Sequence, residues 1–150
     1  MNTLARRGFS ALVLCFLLAA PALAQETPVG AWKTIDDETG NERSIVEIYE
    51  EGGKLFARVT EFFPAEDEPA EPVCENCKGD RKDQPVLGMV IMWDMEQDDD
   101  EWSGGRILDP KNGKTYRCKI WIEDNGNLRV RGYLGPFYRT QTWLPVETSG

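Results

Sequence analysis

Residues 114–134 read KTYRCKIWIEDNGNLRVRGYL, and this stretch decides the fold class. Apolar and polar residues alternate on both sides of a central Asp-Asn-Gly, which is the pattern of two antiparallel strands joined by a tight turn. A two-residue loop would pair Ile122 with Arg129 and send the apolar sides of the two strands to opposite faces. A three-residue loop with Gly126 in a left-handed conformation pairs Ile122 with Leu128. We predict this second register, because a slip of one residue inverts every side chain.

The predicted register also assigns the two faces of this hairpin. Its inward face on the first strand consists of Tyr116, Cys118, Ile120 and Ile122. Its outward face carries the charged side chains and one indole, namely Arg117, Lys119, Trp121, Arg129 and Arg131. Cations on that outer face can lie over the ring of Trp121.

Short alternating runs separated by Gly, Asn and Asp continue along the rest of the chain. They predict eight strands, at 30–35, 43–50, 54–63, 88–95, 102–108, 114–123, 127–134 and 138–144. A long loop rich in proline and acidic residues, at 64–86, separates the third strand from the fourth. Sequential strands joined by tight turns form an up-and-down meander, and closure of a meander removes its unpaired edges. The predicted fold class is therefore all-β, an eight-stranded antiparallel meander closed into a barrel.

The first 24 residues have the three parts of a cleavable signal peptide. Arg6 and Arg7 provide the positive charge, residues 9–20 are apolar except for Ser10, and Ala22-Leu23-Ala24 provides the small residues of a cleavage site. The apolar run is too short to span a bilayer, so no membrane insertion is expected after cleavage. We therefore predict a periplasmic or secreted protein whose single domain is residues 25–150.

The composition excludes several classes of function. Cleavage would remove two of the 17 basic residues and none of the 26 acidic ones, which changes the net charge from −9 to −11. Such a charge disfavours nucleic acid as a partner, because that binding depends on neutralising phosphates with Lys and Arg. The sequence has no histidine, which excludes Ser-His-Asp and Cys-His catalysis. Neither an enzymatic activity nor a cofactor is predicted.

Three cysteines remain after cleavage: Cys74, Cys77 and Cys118. A structural disulfide is the favoured interpretation in an oxidising compartment. Cys74 can pair with Cys77, or a cysteine of the long loop can pair with Cys118, and the sequence does not choose between these pairings. A metal site and a redox dithiol are weaker alternatives, because the neighbouring acids disfavour a thiolate and a fourth metal ligand would have to be a carboxylate.

Acidic residues crowd the stretch from Asp94 to Glu101. A Ca²⁺ site is one interpretation, but the glycine and the ligand spacing of an EF-hand loop are missing. A charged hairpin tip is therefore the favoured interpretation.

Three longer stretches resemble the domain of unknown function 2147 family. They are the motif from Gly40 to Tyr49, the motif Gly104-Gly105-x-Ile-Leu-Asp-Pro-x-Asn-Gly-Lys-x-Tyr ending at Tyr116, and the stretch from Val130 to Trp143. The resemblance implies an exported bacterial protein with a lipocalin-like (calycin) barrel and no established activity. It also implies an arginine two residues after the last tryptophan, where this chain has Pro145.

Gly30-Ala31-Trp32 resembles the G-x-W with which lipocalins begin, so Trp32 is expected to be a structural plug of the barrel. Five large side chains are candidates for the lining of an internal cavity: Phe56, Met89, Trp93, Tyr116 and Trp143. An eight-stranded barrel can hold one small ligand or fill with side chains. We therefore expect a non-enzymatic barrel that binds a small apolar ligand. The alternatives are a cell-envelope structural or protein-interaction factor with a filled barrel, and an enzyme based on thiols or carboxylates.

Overall fold

The computed structural model describes residues 27–147, so the predicted signal peptide lies outside the described residues. Within this range the chain forms nine strands: β1 (Gly30–Ile35), β2 (Glu42–Glu51), β3 (Lys54–Phe62), β4 (Val90–Asp98), β5 (Glu101–Ser103), β6 (Arg106–Asp109), β7 (Lys114–Ile122), β8 (Leu128–Leu134) and β9 (Phe137–Pro145). A short 3₁₀ turn, Gly79–Arg81, lies in the long loop between β3 and β4. No helix in residues 27–147 is long and apolar enough to cross a membrane.

The strands close into one antiparallel barrel. Consecutive strands pair with each other except for β5 with β6, and β1 also pairs with β9, which closes the barrel. Strands β5 and β6 both lie between β4 and β7, so together they occupy a single position in the barrel. The prediction of a closed, eight-stranded, all-β barrel is therefore confirmed.

The predicted fifth strand, 102–108, is broken in the middle. Gly104 has a φ of +80°, which ends β5, and Gly105 packs directly against β4. A Cβ atom at Gly105 would lie 2.3 Å from the carbonyl oxygen of Trp93 and 2.6 Å from the sulfur of Met95. Only glycine permits this close approach of two backbones, so the barrel strand continues as two short segments.

The register of the β7–β8 hairpin is the predicted one. Ile122 pairs with Leu128 and Ile120 pairs with Val130, and Gly126 has a φ of +84°. On the outer face, the guanidinium of Arg131 lies 5.0 Å from the ring centroid of Trp121. The alternation of apolar and polar residues in β7 and β8 thus predicted which of their side chains point into the barrel.

The connections β1–β2, β3–β4, β6–β7 and β8–β9 all lie at one end of the barrel, because successive strands run in opposite directions. We call this end the mouth and the opposite end the base. The base half is filled by large apolar side chains that are almost completely buried, including Trp32, Ile48, Leu55, Met95, Trp102, Ile120 and Leu128. The core therefore fills the base half of the barrel, and other core residues, such as Val59, Leu108 and Val130, form the wall of the mouth half.

Candidate functional site

The mouth half of the barrel contains a cavity of about 820 Å³. Its inner wall is apolar and is built from Val59, Ile91, Ile107, Leu108, Val130 and Trp143, which come from five different strands. A volume of this size lies within the usual range for small-molecule sites, roughly 300 to 1,000 Å³. The geometry is that of a cup with a packed base and an open mouth.

Trp143 is the residue of β9 that lies deepest in the cavity, opposite Leu128 of the filled base half. The side chain is 2% exposed, and its indole N–H has no hydrogen-bond partner among the described residues. A tryptophan N–H in an apolar site normally finds an acceptor, because an unpaired buried donor costs about 1 to 3 kcal/mol. The floor of the cavity is thus apolar with one unsatisfied donor.

Gly132 makes room for the cavity on the β8 wall. A Cβ atom there would lie 3.3 Å from the Cβ of Tyr116 on the neighbouring strand. The phenol of Tyr116 lines the cavity, and its hydroxyl lies 3.0 Å from the side-chain nitrogen of Asn112, which donates to it. A larger residue at position 132 would take the space that the tyrosine ring and the cavity share.

Charged residues surround the mouth of the cavity. Seven of the lining residues are carboxylates, namely Asp36, Asp37, Glu38, Glu68, Glu71, Glu75 and Asp109. Three are basic, namely Arg43, Lys111 and Arg139. We call these ten charged residues the rim. The rim has four more negative than positive charges and surrounds the entrance to an apolar interior.

Two of the basic residues at the rim are paired with carboxylates. Arg43 donates to both carboxylate oxygens of Glu68, at 2.7 and 3.0 Å, and lies 3.9 Å from Asp36. This pair lowers the pKa of Glu68 and raises that of Arg43. Arg139 on β9 donates to Asp37 in the adjacent β1–β2 turn, and Gln141 donates to the same oxygen at 3.2 Å.

The long loop between β3 and β4 crosses the mouth. Near its start, Glu68 holds it to Arg43 at the beginning of β2. Further along, the side chain of Asn76 donates to the carbonyl oxygen of Lys111, in the β6–β7 turn. These two anchors lie on nearly opposite sides of the barrel, since β2 and β7 are four positions apart in the strand order.

The loop between β3 and β4 packs closely against the β6–β7 turn. Gly113 has a φ of +69°, and a Cβ atom there would lie 2.0 Å from the carbonyl oxygen of Asn76. The structure joins Cys74 to Cys77 by a disulfide on either side of Asn76, which is one of the two predicted pairings. Both of these cysteines are buried, so the bridge stiffens the part of the loop that packs on the turn.

Cys118 is a free and buried thiol, so the alternative bridge from the loop to this residue is not formed. It lies on the inward face of β7, with its sulfur 3.9 Å from that of Met92. Burial raises the pKa of the thiol to about 12. A thiol in this state is inert, because only the thiolate is an effective nucleophile.

Two of the five candidates for the cavity lining, Tyr116 and Trp143, line the cavity. Phe56 lies outside the barrel, stacked on Tyr49 with ring centroids 5.8 Å apart, because the inward face of β3 belongs to its neighbours Leu55 and Ala57. The alternation of β3 already contained this signal.

Met89 and Trp93 do not line the cavity either. Met89 is buried in the core, where the loop joins β4. Trp93 is covered by the guanidinium of Arg81, 4.4 Å from its ring centroid. Trp93 faces outward because β4 has a bulge at Asp94, which has a φ of +58° and where the register with β3 shifts. A bulge inserts one residue and so changes which side chains face inward.

Trp32 lies in the base half of the barrel, at the end opposite the mouth. It is buried, and its indole N–H donates to the carbonyl oxygen of Pro28 at 2.7 Å. Pro145, which stands where the resemblance implies an arginine, pairs with Trp32 at the closure between β1 and β9. The role of Trp32 as a structural plug of the barrel stays a prediction.

The acidic stretch 94–101 forms the β4–β5 hairpin, with its turn at Asp99 and Asp100. This turn lies at the base and is far from the cavity. In residues 27–147, no group of three or more Cys, Asp and Glu side chains is arranged to hold a metal ion.

The charged rim was not predicted from the sequence. Its pairs join residues that are distant in the chain: Arg139 and Asp37 are 102 residues apart. A partial signal was present in the stretch Arg139-Thr-Gln-Thr-Trp143, where alternation places the arginine and Gln141 on the inward face together with the tryptophan.

Comparisons with known proteins agree with this architecture. The family model for DUF2147, described as "Uncharacterized protein conserved in bacteria", matches residues 30–144. The chain belongs to this family. Among solved structures, it is similar to protein HP1028 from Helicobacter pylori, described as belonging to the lipocalin family. The TM-score is 0.66 at 21% identity, over 79% of this chain and 82% of that one, which shows a shared fold. A search of curated proteins finds no match.

Proposed function

We propose that this DUF2147 protein is a non-enzymatic, exported binding protein that holds one small, mainly apolar molecule in the mouth half of its barrel. The observation that carries this proposal is the division of the barrel into a packed base and a cavity of about 820 Å³ with an apolar inner wall. Protein interiors are normally packed without large voids, so an apolar space of this size favours a ligand.

The loop between β3 and β4 is proposed as the lid of this site. Its residues from Glu68 to Asn76 contribute to the cavity wall, and its two anchors hold it over the mouth. The anchor at Glu68 is a polar contact near solvent, whereas the disulfide segment is buried against the β6–β7 turn. Opening would therefore release the Glu68 side first.

The lack of histidine and the state of the cysteines support a binding role rather than a thiol-based activity. The sequence has no histidine, Cys74 and Cys77 are joined to each other, and the thiol of Cys118 is buried with its pKa raised. A filled barrel acting as a structural or interaction factor is the alternative, and the open mouth half argues against it. The Cys74–Cys77 bridge is compatible with the periplasmic or secreted location that the first 24 residues predict.

The proposal is tested by titrating the purified protein with N-phenyl-1-naphthylamine, a neutral apolar probe whose emission rises in apolar sites. We expect saturable binding of one molecule per chain. Val130→Trp, which fills the cavity from a buried position on β8, should abolish binding. Ile45→Phe, on the outer face of β2, is the matched control and should leave binding unchanged. Equal binding by both variants, or none by the unmodified protein, would refute the cavity as the site.

A further inference from the structure

We propose that the ligand is a cationic amphiphile, whose apolar part fills the barrel and whose protonated amine or quaternary ammonium group lies at the rim. This inference rests on the proposed binding function and adds the chemical class of the ligand. It is argued from the charge of the rim, from the pairing of its basic residues and from the aromatic faces that line the mouth.

The charge of the rim favours a cation. The seven carboxylates and three basic side chains that line the cavity all lie at its mouth, above the apolar wall. Glu38, Glu71, Glu75 and Asp109 make no ion pair with any described residue. A cleft lined by one sign of charge beside low-dielectric walls raises the local concentration of the opposite ion. The unpaired carboxylates therefore attract a positive group to the mouth.

The two arginines of the rim are poorly placed to receive an anion, and the third basic residue, Lys111, is outnumbered by four carboxylates that make no ion pair with a described residue. Both terminal nitrogens of the Arg43 guanidinium donate to the carboxylate of Glu68, and Asp36 lies nearby. Arg139 is engaged by Asp37. An anionic headgroup such as a fatty-acid carboxylate would have to displace a carboxylate in order to bind either arginine. A cation needs no such exchange, since it meets carboxylates that have no ion-pair partner among the described residues.

Aromatic rings supply the second kind of group that recognises an ammonium ion. Phe137 begins β9 at the mouth, lines the cavity and is 76% exposed. Phe137 lies on the inward face of β9, because it occupies the same alternate positions as Arg139, Gln141 and Trp143. Tyr116 presents a second ring on β7, two positions from β9 in the strand order. Exposed aromatic faces combined with carboxylates bind amines and quaternary ammonium groups through cation–π attraction and charge.

The test compares three probes with the same twelve-carbon tail: dodecyltrimethylammonium and dodecanoate below their micelle concentrations, and 1-dodecanol below its solubility limit. Each probe competes with N-phenyl-1-naphthylamine for the full-length mature protein at low salt and at about 0.3 M salt. We expect the cation to bind about fivefold more tightly than the alcohol at low salt, with dodecanoate weakest. The preference should shrink at high salt, because exposed charges are screened.

A pair of variants separates the rim from the overall negative charge of the protein. The double variant Glu71→Gln with Glu75→Gln removes two rim carboxylates and should bring the cation close to the alcohol in affinity. The double variant Glu50→Gln with Glu51→Gln changes the net charge equally at the base and should retain the preference. Alcohol binding should be unchanged in both, which shows that the barrels are folded.

The outcomes distinguish this inference from the proposed function. Equal binding of the three probes overturns the cationic class and leaves the binding function intact. A preference for dodecanoate also overturns it and indicates that a basic residue of the rim accepts an anion. Equal loss of the preference in both double variants assigns it to the net charge rather than to the rim. If the dye binds but no probe displaces it, the cationic class is overturned, whereas failure of the dye itself to bind overturns the proposed function.

Discussion

Arg43 and Glu68 form a two-pronged ion pair that joins the beginning of β2 to the loop over the cavity, with N–O distances of 2.7 and 3.0 Å. Glu68 also accepts a hydrogen bond from the backbone N–H of Ala65 at 3.1 Å. The arginine, whose guanidinium lies 5.1 Å from the ring centroid of Phe62, is packed as well as paired. One carboxylate therefore shapes the loop and attaches it to the barrel.

Glu68→Gln should loosen the first part of the loop. The change removes a bidentate, charge-assisted contact, and we expect a loss of about 1 kcal/mol in the free energy of unfolding. Hydrogen exchange by mass spectrometry should show faster exchange at 64–72 and unchanged exchange in β7 and β8. Glu66→Gln, an exposed neighbour, is the control. If the two variants exchange alike, the ion pair does not hold the loop.

The same pair predicts a dependence on pH. Arg43 holds the pKa of Glu68 below its ordinary value, so its stabilising effect is complete above that ordinary value, near 4.3. The effect is lost as the pH falls through the lowered pKa of the folded state, because protonation removes the charge. The difference in thermal midpoint between the unmodified protein and Glu68→Gln should therefore be constant from about pH 5 to 7 and shrink in acid. A difference that grows in acid would contradict the assignment.

Gly113→Ala should destabilise the protein by about 2 to 4 kcal/mol, measured by urea unfolding. The substitution meets both a left-handed φ of +69° and the backbone of Asn76, 2.0 Å from the added carbon. Gly126→Ala is the matched control, because its φ is +84° but no atom lies within 4 Å of the added carbon. It should cost about 1 kcal/mol. Equal losses would show that the loop does not pack on the turn as described.

Thiol counting should find one buried thiol and one disulfide in the mature protein. At pH 8 the folded protein should not react with Ellman's reagent, because the Cys118 side chain is buried and its pKa is raised to about 12. In denaturant without reductant one thiol should react, and three should react after reduction. Three reactive thiols without reductant would contradict the Cys74–Cys77 bridge.

The disulfide should matter more for ligand exchange than for folding. The double variant Cys74→Ser with Cys77→Ser removes a bridge that spans three positions, worth about 2 kcal/mol in the chain-entropy estimate. The far-ultraviolet circular dichroism should stay that of a barrel. The dissociation rate of N-phenyl-1-naphthylamine should rise, because the loop packs less firmly on the β6–β7 turn. Cys118→Ser is the matched control and should leave that rate unchanged. An unchanged rate in the double variant would contradict the role of the loop as a lid.

The fold class and the two faces of the β7–β8 hairpin follow from local sequence patterns. Alternation with a period of two is local, and the Asp-Asn-Gly turn selects one register, so Ile122 faces Leu128 for reasons contained within a few residues. The meander of short strands with tight turns then requires closure, and the family resemblance led to the same barrel.

The contents of the barrel depend on contacts between residues that are distant in the sequence. Whether eight strands enclose a filled core or a cavity depends on how side chains from many strands fit together, and the hollow mouth half follows from residues such as Gly132 and Val130. The bulge at Asp94 changed the face of Trp93, which a strict alternation could not anticipate. The acidic rim arises because loops distant in sequence meet at one end, as Asp37 and Arg139 do. Period and turn chemistry are local properties, whereas a cavity and its charge exist only after the chain has closed on itself.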